Sequence, residues 1–134
     1  MLVYVVLLAL CAVCNGDGDW TEENPNDDKF MGIAWDAAAT VINKGLTTGR
    51  FMVPKKLMEV RKRIVVGTVH IEIISLFQEA WCGPWDGNTL EDICEGMCPL
   101  YHGGAEAIYK INSIGTQITA TKVEDVKPAP VSRI

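Results

Sequence analysis

Three cysteines and a histidine stand close together in the second half of the chain: Cys82, Cys94, Cys98 and His102. Cys98 with His102, or Cys82 with His70, would make a thiolate–imidazole nucleophile. Taken together, the three sulfurs and one imidazole form the Cys₃His set that tetrahedral zinc accepts. Their spacing lacks the paired C-x₂-C signature of structural zinc sites. The chain also carries no glycine-rich phosphate cradle, no serine nucleophile elbow and no paired metal-binding histidine motif. What these thiols do depends on the compartment, and the compartment is written at the amino terminus.

Residues 2–14 hold no charge and are too few to span a bilayer as a helix, which takes roughly 20 apolar residues. Small residues follow at Ala12, Cys14 and Gly16, and acids at Asp17 and Asp19. This is the anatomy of a secretory signal peptide over residues 1–16, lacking only basic residues ahead of the apolar run. Cleavage fits after Cys14 or after Gly16. The mature chain is then expected to be extracellular, without a membrane anchor, and to keep Cys82, Cys94 and Cys98. An odd number of cysteines in an oxidising compartment predicts one bridge and one leftover thiol. A bridge uses up the nucleophile and the zinc ligands alike, so no enzyme, metal or cofactor is expected. N-glycosylation is not predicted either, since Asn112-Ser113-Ile114 fails at its third position.

Composition narrows the class. The 134 residues carry a net charge of −5, with 49% hydrophobic and 22% charged positions, enough for one globular core. The acidic balance argues against a nucleic-acid partner. Six of the 12 basic residues fall between Arg50 and Arg63. An anionic partner would explain them, but the wet face and edge protection of a strand explain them more simply.

The elements that position these groups follow from periodicity. Acids and Asn24-Pro25-Asn26 lead into a helix over roughly residues 27–44, capped by Asn24 or Asn26 and stopped at Asn43-Lys44-Gly45. Phe30, Ile33, Ala34, Ala37 and Val41 form its apolar stripe. Residues 51–66 and 68–77 read as two strands joined through Gly67, the second alternating Val69, Ile71, Ile73 against Thr68, His70, Glu72. Residues 78–104 form a cysteine-bearing appendage with a short helix near 89–95. Two further strands, about 105–112 and 115–123, are separated by a turn at Asn112-Ser113-Ile114-Gly115. The domain covers 17–126, and 127–134, with Pro128 and Pro130, is a tail. One helix clasped by an antiparallel sheet is α+β.

The stretch Arg63-Ile64-Val65-Val66-Gly67 is an apolar strand end running into a glycine turn, where Gly67 can take positive φ and project what precedes it. The order helix, strand, x-x-V-x-G turn, strand, appendage, hairpin resembles that of the cystatins, especially the secreted, disulfide-containing kind. Val41-Ile42-Asn43-Lys44, the strand at 51–60, RIVVG at 63–67, Cys98-Pro99 and Ile108-Tyr109…Gly115-Thr116 carry the likeness over roughly residues 18–123. The opening Asp19-Trp20 looks most like invertebrate secreted members.

That resemblance implies a cystatin-like fold, one long helix packed on a four- to five-stranded antiparallel sheet. It also implies reversible inhibition of papain-like cysteine proteases by loops wedged into the active-site cleft. Gly18 stands nearest the family's amino-terminal glycine, with Gly16 competing. Val65 and Gly67 match the first loop, flanked by Ile64 and Val66, but Arg63 replaces the family's Gln. A cation is thereby placed at the entrance of a dry cleft, well hydrated unless paired. The second loop aligns on Asn112-Ser113, without the family's Pro-Trp; Pro84-Trp85 lies instead in the appendage. Leu46-Thr47-Thr48 replaces the Ser-Asn segment that some members use against legumain. The first family bridge aligns on Cys82 with Cys98 or Cys94, and Pro99 favours Cys98. The second has no cysteines near 105–107 or 123, which leaves Cys94 over. The implied protein is a weak or selective inhibitor; the alternative is a cystatin-fold binding or defence protein that does not inhibit. A monomer is expected, with domain swapping at Gly67 or a Cys94-linked dimer as variants.

Overall fold

A computed structural model describes residues 18–128. The leader at 1–16 and most of the proposed tail lie outside the described residues. Five strands run β1 (Thr21–Glu23), β2 (Met52–Val65), β3 (Thr68–Glu79), β4 (Glu106–Ile114) and β5 (Gln117–Lys127). They form one antiparallel meander in the order β1-β2-β3-β4-β5. Helix α1 (Asp28–Ala37) continues through a π-helical turn, Ala38–Ile42, and lies across the sheet.

The start of α1 corrects the capping assignment. Asp27, in extended conformation, accepts from the Lys29 amide at 3.2 Å and is the cap. Asn24 is spent one turn earlier, its side chain accepting from the Asn26 amide. Asp28 then complements the helix dipole. At the other end the helix stops through Asn43, which is buried. Its amide donates to the carbonyls of Ala38 and Met52, and its oxygen accepts from the Met52 amide at 2.7 Å. One side chain therefore ends the helix and fixes the start of β2.

Phe30, Ala34, Ala37 and Ala38 bury the helix face against Val53, Val60, Ile73, Phe77 and Ile111. The alanines let helix and sheet approach closely, and the phenylalanines fill what remains. Register shifts in β2, between Pro54 and Lys56 and between Leu57 and Glu59, bend the sheet around the helix. Pro54 is tolerated because β1 pairs only with residues 60–62, so this half of β2 is an edge.

The appendage closes on Cys82–Cys98, with Cα atoms 5.2 Å apart, and Cys94 is exposed and unbridged. That bond removes the Cys₃His set and both thiolate–imidazole pairs. The expected short helix is a single 3₁₀ turn, Leu90–Asp92, closed by a Thr89/Asp92 capping box, and a second such turn covers Pro84–Asp86. The β4–β5 turn also corrects the reading. Asn112 pairs with Glu72 and Thr119, and Ser113 with Ile71 and Ile118, so both are inside the sheet. The reversal is Gly115-Thr116, with Ile114 opposite Gln117, because Gly115 at φ 63 supplies the left-handed conformation the turn needs. Lys127, placed in the tail by composition, is the last residue of β5. No described helix is long and apolar enough to cross a membrane.

Candidate functional site

At one end of the β2–β3 arm, Val65 pairs with Thr68 across a two-residue turn, Val66-Gly67. Both turn residues have positive φ, 49° and 77°. This is the I′ geometry whose twist matches the flanking strands, and it normally falls to Asn-Gly. Gly67 adopts it freely. Val66, β-branched, is strained there, at a cost on the order of 1–2 kcal/mol. The strained residue is also 84% exposed. Ile64, Val69 and Ile114 are exposed beside it, so the turn carries aliphatic carbon into water where Asn would be the comfortable choice.

The second hairpin lies alongside. Ile114 pairs with His70, and the Gly115 amide donates to the Val69 carbonyl at 3.2 Å. The described structure thus brings Ile64, Val65, Val66 and Gly67 together with the tip Ile114-Gly115-Thr116. Asn112 and Ser113 stand behind this tip, half-buried in β4. Local sequence places Ile114 and Gly115 in the turn but sets the loop on Asn112-Ser113 and leaves Val69 as a strand residue; the signal for the tip is Gly115 itself, whose need for positive φ marks the turn.

The third component is the amino-terminal segment. β1 is only 3 residues long and holds β2 by pairing Thr21 with Lys62 and Glu23 with Val60. Just before it, Trp20 lies under two guanidiniums, 4.6 Å from that of Arg61 and 4.4 Å from that of Arg63. Arg63 is therefore paired with an aromatic face and is half-buried, its Nε–H without a hydrogen-bond partner among the described residues. Arg61 in turn donates to Glu72 through Nε at 2.9 Å and through Nη2, and Lys110 reaches the same carboxylate at 3.2 Å. Burial pushes the Glu72 carboxyl up, but the hydrogen bonds from Arg61 and Lys110 outweigh it and hold it below the ordinary carboxylate value. A row of charge thus runs across β2, β3 and β4, and Trp20 caps its outer end. Gly18, two residues before Trp20, has φ 117° and open space around it.

Chemically, this edge is convex, aliphatic at its tips and braced behind by charge. Among the described residues no group of three or more His, Cys, Asp or Glu is placed to hold a metal ion. Concave features lie behind it, a cleft of about 340 Å³ bordered by Met31, Trp35, Pro54, Glu95 and Leu100 and a more open one of about 500 Å³ bordered by Thr40, Lys44, Thr116 and Gln117. Such an edge is suited to filling another molecule's groove rather than to enclosing a ligand.

No family model matches the sequence, and no curated protein matches it. Solved structures do. Mialostatin, a gut cystatin from the hard tick Ixodes ricinus, matches with a TM-score of 0.55 at 20% identity, over 84% of this chain and 99% of that one. Al-CPI matches at 0.60 and 18% identity, over 82% and 99%. A salivary cystatin from the soft tick Ornithodoros moubata matches at 0.55 and 13% identity, over 82% and 96%. The chain has the cystatin fold, with one helix on a five-stranded antiparallel sheet.

Proposed function

We propose that this chain is a secreted, reversible inhibitor of papain-like cysteine proteases. The observation that carries the reading is the exposed, strained Val66 tip, reaching beyond the neighbouring Gly115 turn on one edge of a cystatin fold. Ile64, Val65, Val66 and Gly67 enter the cleft, Gly18 assists alongside, and the 114–116 tip closes the other flank. Asn112 and Ser113 set the height of that tip from within β4. The stiff arm orders the loops before binding, so little conformational freedom is lost on contact. Burying roughly 100 Å² of valine contributes about 2.5 kcal/mol before costs, so a few aliphatic tips can dominate affinity. The uncharged run at 2–14 supports secretion.

Inhibition is weak or selective, because the second tip offers Ile-Gly-Thr and lacks a rigid aromatic anchor, a typical hot spot. Titrating a panel of papain-like proteases with refolded mature protein tests the proposal. Inhibition of at least one at micromolar concentration is expected; silence across the panel overturns it and leaves the cystatin-fold binding or defence protein, which the missing anchor and Arg63 favour.

A further inference from the structure

The opposite end of the molecule holds a second cluster that protease binding leaves unused. Arg50, just before β2, places its guanidinium 4.0 Å from the Tyr101 ring, 4.9 Å from Trp81 and 5.7 Å from Trp85. Trp81 and Tyr101 also meet edge to face at 4.6 Å. Trp81 and Trp85 nevertheless remain 50% and 59% exposed. A core role would have buried these indoles, and a solvated loop has no need of them.

The rings are also held in place. The Trp81 amide donates to the Pro99 carbonyl, and the Tyr101 amide donates to Glu79. The Cys82–Cys98 bond clamps together the two segments that carry them. At Gly83 an added Cβ would lie 2.4 Å from the Gly49 carbonyl and 2.6 Å from the Trp85 Nε1, so only glycine lets Trp85 sit there. The Arg50 Nη1 is buried with no hydrogen bond among the described residues, and the electron-rich ring faces attract its guanidinium instead. An ordered, exposed group of Trp, Tyr and Arg is the composition of a protein-binding hot spot.

Charge selects the partner. From Gln78 to Gly104 the chain carries Glu79, Asp86, Glu91, Asp92 and Glu95 and no Lys or Arg. We propose that Trp81, Trp85, Tyr101 and Arg50 form a second docking surface, which takes a protein segment bearing apolar side chains flanked by Lys and Arg. Its acidic setting disfavours an anionic membrane. The 14 residues of β2 separate it from Val66 by roughly 45 Å at about 3.3 Å each, so both ends can be occupied at once.

The test uses two fluorescein-labelled peptides of the same Leu/Phe pattern, one with Lys and one with Glu at the polar positions, read by anisotropy. The Lys peptide should bind the full mature protein, and Trp85→Ala should weaken it about tenfold, as loss of a hot-spot ring does. Trp85 is exposed, so its truncation leaves the core intact; Asp86→Lys, beside Trp85 in the same 3₁₀ turn, should weaken the Lys peptide while keeping the rings. Val66→Asp should bind the peptide as the parent does. Equal binding by Trp85→Ala, a preference for the Glu peptide, no saturable binding, or stronger partition into neutral lipid vesicles would each overturn the proposal.

Discussion

The two ends of the β2–β3 arm solve different problems. At the tip end, exposed carbon is aliphatic, the turn is strained at Val66, and no covalent link ties the loops. Bracing there comes from the arm itself and from the Trp20–Arg61–Glu72–Lys110 row. At the appendage end, exposed carbon is aromatic and the backbone is irregular, so order comes from a disulfide and from Arg50 packed against rings. Regular strands can hold a protruding loop by pairing alone. An irregular loop of the same exposure needs a cross-link, because it buries too little to offset its own chain entropy.

The comparison breaks first at the disulfide. Cys82→Ser/Cys98→Ser reopens a loop with a sequence separation of 16 and should cost about 3 kcal/mol in the chain-entropy model. Urea unfolding followed by circular dichroism should show the loss. Protease inhibition by the folded fraction should be unchanged, because nothing at the tip end depends on the bond. A fall in inhibition that matches the fall in stability would mean that the two ends are not separable.

Val66→Asp comes next, this time at the tip end. Placing a carboxylate in a dry cleft should weaken inhibition about 100-fold, near 2.7 kcal/mol, without lowering the melting temperature, since Asp tolerates the turn's positive φ better than Val does. Trp20→Ala should weaken it about tenfold by releasing the amino-terminal segment, with Trp20→Phe restoring most of the loss. Removing the residues up to Gly18 should then add little to Trp20→Ala, since both act on one segment.

Much of this was legible in the sequence, for reasons that differ by residue. The helix, the strand start at Thr68 and the Gly67 turn follow from periodicity and from glycine's access to positive φ, whereas Val66, counted in the first strand by its apolar character, belongs to the turn. The β4–β5 reversal was misplaced because Asn and Ser are common in turns, whereas here Asn112 and Ser113 have strand partners on both sides. Local propensity cannot see such pairing. The Trp20 clasp was invisible for a related reason: Trp20 and Arg63 are far apart in sequence and meet only once β1 has paired with β2. The Val66 strain is a conflict between a residue and its turn, and such conflicts become visible only when the turn type is known.

Acid should separate the two ends as well. Because the folded-state pKa of Glu72 is held below its ordinary 4.5, the ionised carboxylate stabilises the fold fully above about that pH. The contribution is lost as pH falls through the folded value. Glu72→Gln should therefore melt below the parent at neutral pH, and the gap should narrow under acid. Reduction of the disulfide should lower the melting temperature at either pH. A gap that stays constant with pH would remove Glu72 from the brace.

The smallest effect is the most informative about the tip. Val66→Asn keeps the I′ turn and replaces a residue strained at φ 49° with one that tolerates it. Stability should rise by about 1 kcal/mol, a gain of about 4 °C in melting temperature for a domain of this size. Inhibition should nonetheless fall, because the exposed aliphatic surface goes with the strain. Such opposite signs from one substitution would mean that the valine is kept for contact with a partner against the preference of its own turn. If Val66→Asn were both more stable and an equal inhibitor, the strain would serve no contact, and the weight of binding would pass to Ile64 and Ile114 beside it.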